Sequence, residues 1–203
     1  MSEQNSEQLK AINIYKRVKD MRSRDLSGWQ HQNKSEFCKS TRVNQMNKIY
    51  RQGAIGALTD EYEKALNELK NLLDEITDDQ FNAIVDSSVK EDFQSARNIV
   101  THVVKAGYSY ANYIRKRFGD AIYKNEININ SVHEALLKLD NMFKYTVETF
   151  EDKWLLSDDD LLNTIIKTSW TTYDLEAIIE HSIVHILRHR LQIEKLLIKA
   201  KQK

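Results

Sequence analysis

The chain has 203 residues, enough for one domain with a real core, and its 41% hydrophobic and 30% charged content fits a soluble globular protein. Thirty Lys plus Arg balance thirty Asp plus Glu. No net field therefore draws in nucleic acid or an anionic membrane, and neither is expected as a partner.

The single cysteine, Cys38, excludes an internal disulfide and any cysteine-based zinc finger, so a reducing, cytoplasmic setting is expected. The opening "MSEQNSEQLK" has no apolar segment of the signal-peptide kind, and no apolar run is long enough to span a bilayer. There is no proline and there are only five glycines, which points to long helices with few tight turns. Glycine-rich phosphate loops are absent, which weakens any nucleotide-enzyme reading.

In chain order, residues 1–52 read as a polar N-terminal extension. A helix is expected over "EQLKAINIYKRVKDM", and "RDLSGWQHQNKSEF" reads as a loop holding Trp29 and His31. From 53 to 200 the pattern is that of a bundle. A first helix is predicted over 55–76, with Leu58, Tyr62, Leu66, Leu69 and Leu73 at steps of three and four. A second runs to Phe118, from a capping box at Ser88 and Glu91 to a glycine cap at Gly119. A third opens with Ser131 and Glu134 and extends to about Phe150. A long connection over 151–172 has its own cap at Ser157 and Asp160. The fourth helix covers about 174–199. The expected fold is all-α: a four-helix bundle with an N-terminal helical extension, a long connection before the last helix and almost no strand.

The fourth helix contains "EHSIVHILRHRLQIEK", with His181, His185 and His189 at a spacing of four. Four residues advance a helical side chain about 6 Å along the axis and rotate it about 40°. Two such histidines can share one metal ion; three cannot, because the outer pair is about 12 Å apart while metal–nitrogen bonds are about 2 Å. The pair is therefore either 181 with 185 or 185 with 189. Ile178, Ser182, His185, His189, Gln192 and Leu196 form one inward seam, which favours the second pair. His102, in the middle of the second helix among Ile99, Val103 and Ala106, is the candidate third ligand. His133, near a helix start, and His31 are not. A di-iron bundle is excluded, because no histidine has a glutamate three residues before it. Spacing alone leaves two readings open, a metal site and a pair of hydrogen-bonded core histidines.

"HILRHRLQ" has the form His-x-x-x-His-Arg-x-Gln. Together with a mid-helix histidine in the second helix, it resembles the DinB-like (damage-inducible, YfiT-type) superfamily over about 55–199. Two features depart from the family pattern: Leu191 stands where glycine often follows the arginine, and His181 is extra. The resemblance implies a four-helix bundle with a divalent ion, zinc or nickel, on His102, His185 and His189, with His181 as the alternate ligand. Arg190 and Gln192 would orient ligands or substrate, and Tyr110 and Tyr113 would pack nearby. It also implies a metal-dependent enzyme, a thiol S-transferase or a hydrolase, acting on a small-molecule substrate with a low-molecular-weight thiol as partner. The alternatives are a non-enzymatic bundle with structural histidines or a vestigial metal, and an interaction module such as a homodimer.

Overall fold

The computed structural model describes residues 49–124 and 126–202. The helix and loop expected over 7–37, with Trp29, His31 and Cys38, lie outside the described residues. Six α-helices and a two-stranded hairpin make up the described chain. They are α1 (Gly53–Asp74), α2 (Asp78–Asn82), α3 (Ala96–Phe118), α4 (Val132–Glu148), α5 (Asp158–Asn163), β1 (Ile166–Lys167), β2 (Thr172–Tyr173) and α6 (Leu175–Ala200), with a 3-10 turn at Glu91–Phe93 before α3.

The four long helices close into a ring. α1 packs on α6, α6 on α3, α3 on α4 and α4 on α1. Each turns an apolar stripe inward because its hydrophobic residues recur at helical spacing. Tyr62, Leu66, Leu69 and Leu73 of α1 meet Val100, Val103 and Val104 of α3, Leu139 and Met142 of α4, and Ile186 and Ile193 of α6 in one core cluster. A second cluster gathers Tyr110 and Ile114 of α3, Phe150, Leu161 of α5, Ile166 of β1, and Ile178 and Ile179 of α6. Burying each such leucine or isoleucine contributes about 1.5–3 kcal/mol. α3 and α4 approach closely at Gly107, where a Cβ would come within 2.3 Å of the Met142 sulfur.

Most helix ends follow their sequence signals. Asp174 caps α6, accepting from the Ala177 N–H at 2.7 Å. Gly119 takes a left-handed φ of 83° and closes α3, and Ser157 with Asp160 forms the capping box of α5. The second helix, however, does not begin at Ser88. The Ser88 hydroxyl bonds the Asp86 carboxylate, residues 91–93 form only the 3-10 turn, and α3 starts after Ser95, whose Oγ accepts from the Asn98 N–H at 3.1 Å. In α4, Ser131 accepts from the Glu134 N–H, but the Glu134 carboxylate accepts from Asn130 rather than completing a box on Ser131. The segment after α1 holds α2, with its own capping box at Thr77 and Gln80. The connection before α6 carries the antiparallel hairpin, pairing Ile166 with Tyr173 and Lys167 with Thr172.

Candidate metal centre

Adjacent packing of α3 and α6 brings His102 against the His185–His189 pair. The three rings lie 4.3–5.2 Å apart between centroids. One nitrogen from each lies within 4.8 Å of the others, and no further His, Cys, Asp or Glu among the described residues joins the group. Nε2 of His185 and Nε2 of His189 are 3.2 Å apart. On its other side, Nδ1 of His189 lies 2.7 Å from Oε1 of Gln192, one helical turn along. The Gln192 oxygen accepts the Nδ1 proton, which leaves the Nε2 lone pair directed at the cluster.

Electrostatics keep the imidazoles neutral. Burial holds the His185 pKa down at about 3, helped by the neighbouring His189 and His102. Burial likewise lowers His189 and His102; the Gln192 hydrogen bond opposes this at His189, and Asp92, 3.9 Å from Nδ1, opposes it at His102. Neutral imidazole is the form that ligates a metal.

The donor set fits a divalent ion. Two nitrogens on one tetrahedral zinc, each bonded at about 2.0–2.1 Å, lie about 3.4 Å apart. The His185–His189 separation matches this. His102, its side chain 31% exposed, offers the third nitrogen within 4.8 Å of the other two. Three imidazoles without a carboxylate suit zinc, nickel, iron and copper alike.

His181 stays outside the cluster, with its ring against Tyr110 at 5.4 Å and Tyr173 at 5.3 Å. Arg190 leaves the site altogether. It pairs with Glu68 of α1 at 3.2 Å and with Glu194 at 3.7 Å, so it ties α6 to α1. Tyr110 meets His185 edge-on at 5.5 Å and walls the cluster on one side, while Tyr113 reaches the hairpin through Ser169. His133 is exposed in the first turn of α4. Two neighbours were not singled out from the sequence. Phe93 stacks on His189 at 5.8 Å and meets His102 edge-on at 5.5 Å, and Asp92 stands beside His102.

Fold and site together define an all-α bundle with a three-histidine cluster between two adjacent long helices. The family model of the DinB superfamily matches residues 55–193, and the chain belongs to that superfamily. No curated protein matches the chain. A conserved protein from Enterococcus faecalis, known from a crystal structure, is similar with a TM-score of 0.49 at 12% identity, over 75% of this chain and 99% of that one. Among the described residues, no helix is long and apolar enough to cross a membrane.

Proposed function

We propose that the protein is a divalent-metal-dependent enzyme, a thiol S-transferase or a hydrolase, in which His102, His185 and His189 hold one zinc or nickel ion. Such an ion supplies Lewis-acid activation, lowering the pKa of a low-molecular-weight thiol or of water so that the nucleophile forms near neutral pH. The protein's own groups prepare the site. Gln192 fixes the tautomer of His189, and such outer partners commonly tune ligand affinity. Phe93 sets its ring against His189, and Tyr110 sets its ring against His185. Three protein ligands leave coordination positions for a small-molecule substrate, the layout of a catalytic rather than a structural site.

The observation that carries this reading is the convergence of three neutral imidazoles from two helices. Burying that many polar rings is costly unless they are partnered, and a shared cation partners all three. Elemental analysis of untagged protein, beside the alanine variants of His102, His181, His185 and His189, tests it. Near-stoichiometric metal that is lost with 102, 185 and 189 and kept with 181 is the expected result. No metal in the wild type after incubation with zinc and with nickel overturns the reading and leaves a bundle with structural histidines.

A further inference from the structure

Between the last turns of α6 and the segment that leads into α3 lies a cavity of about 190 Å³. Half of its lining is apolar. Ile99 and Leu196 belong to the buried core, while Phe93 is half-buried and Val89 is exposed. Apolar cavities of roughly 150 Å³ take up benzene-sized molecules, so this one has space for a hydrocarbon body of about six carbons.

The other half of the lining is polar, and its charges do not cancel. Lys199 pairs with one oxygen of Asp86 at 2.6 Å, and the other oxygen of Asp86 accepts from Ser88. Lys195 remains as a cation with no hydrogen-bond or ion-pair partner among the described residues. Gln192 is only half engaged. Its Oε1 is held by His189 at 2.7 Å, whereas its Nε2–H groups donate to nothing among the described residues. An unpaired ammonium and a fixed, unused N–H donor beside an apolar surface suit an anion carried on a hydrocarbon body.

We propose that this cavity binds a small organic carboxylate. The carboxylate lies between the Lys195 ammonium and Nε2 of Gln192, and the hydrocarbon packs on Ile99, Leu196 and Phe93. The site goes beyond the enzyme reading above and does not require the ion, but it shares Gln192 with the histidine cluster. The Phe93 ring is stacked on His189, so the ligand acts on the cluster through the Gln192 amide and not by reaching the ion. A carboxylate on Nε2 fixes the amide whose Oε1 orients His189. Carboxylate and metal therefore favour each other, and the coupling is equal in both directions. Metal occupancy then responds to an organic acid.

The test titrates the full chain, freed of metal by a chelator, with sodium hexanoate and with hexanamide, a neutral molecule of the same size, and follows backbone amide NMR shifts. Hexanoate is expected to bind about three- to fivefold more tightly, the worth of one partly exposed ion pair. Lys195→Met is expected to remove that difference and leave hexanamide binding unchanged. Equal binding of the two probes by the wild type, or a preference that Lys195→Met retains, overturns the site. Zinc affinity is then read by chelator competition with and without hexanoate. It is expected to rise several-fold with hexanoate in the wild type and not in Lys195→Met. A rise that persists in Lys195→Met puts the carboxylate on the ion itself and overturns the coupling, as does a zinc affinity indifferent to hexanoate. If the chain takes up no zinc but the Lys195-dependent preference remains, the metal reading fails and the cavity stands. If zinc is held without the preference, the cavity alone fails.

Discussion

His189 is held through both ring nitrogens, and that makes Gln192 the most informative single residue around the cluster. Its Oε1 accepts from Nδ1 at 2.7 Å and so presents Nε2 to His185 and His102. Gln192→Leu keeps the bulk and removes the acceptor. The expected result is a divalent ion held about 10–100-fold more weakly with the fold unchanged, read by competition with a chromogenic chelator. Unchanged affinity would mean that His189 is oriented by packing against Phe93 alone. His185, His189 and Gln192 were legible in the sequence because helical spacing places them on one seam of α6, and His102 because it stands mid-helix among the apolar residues of α3. His181 fell off that seam by the same arithmetic, and the structure places it against Tyr110 and Tyr173. Phe93 and Asp92 were not legible as site residues. They lie in a 3-10 turn outside α3, and no periodicity relates a turn to a helix face. Arg190 has the right place in the motif, but its side chain leaves α6 on the side of α1, where Glu68 takes it.

At the level of elements, the start of α3 decides how that turn is aimed. Ser95 is fully buried and caps the helix, and the Asn98 side chain donates to the Glu91 carbonyl at 2.7 Å, which pins the turn carrying Asp92 and Phe93 beside His102. Ser95→Ala is therefore expected to cost about 1 kcal/mol in urea unfolding, the usual loss for a serine cap. Ser88→Ala, at the position the sequence pattern favours, is expected to cost less than about 0.5 kcal/mol, as surface changes do. Equal losses would place the helix start elsewhere. The pattern misleads here for a physical reason. A capping box rewards Glu or Gln at the third helical position, which Ser88 has in Glu91, whereas Ser95 is followed by Asn98 and satisfies its cap without the reciprocal bond. The long helices were legible because their apolar stripes are continuous. The hairpin was not. "IIKTSWTTY" has strand-forming residues but none of the Asn-Gly or Gly turn signals, and its turn is held by Thr168, which bonds the backbone of Thr171.

For the whole bundle, the cluster makes stability depend on pH and on metal in opposite ways. Without metal, His185 is held neutral in the folded chain, with its pKa near 3 against an ordinary 6.5. Below 6.5 the unfolded chain then binds a proton that the folded chain refuses, so stability falls as the pH falls. Each pH unit between those values withdraws about 1.4 kcal/mol. The lowered values of His102 and His189 act in the same direction. The metal-free protein is thus expected to melt at a steadily lower temperature from pH 7 to pH 5. A divalent ion bound only by the folded chain works the other way. At 100 times its dissociation constant it adds about 2.7 kcal/mol, or roughly 5–10 °C for a unit of this size. It adds this by joining α3 to α6, the helices that carry the three donors. Because protons and metal compete for the same lone pairs, the zinc-induced rise in melting temperature is expected to shrink as the pH drops toward 5. In His185→Ala the zinc-induced rise should vanish at every pH, and the acid sensitivity should be smaller than in the wild type. A zinc shift that survives in that variant would place the ion elsewhere on the molecule. A wild-type melting temperature flat from pH 7 to 5 would mean that the cluster accepts protons as readily folded as unfolded, which the burial of His185 and His189 argues against.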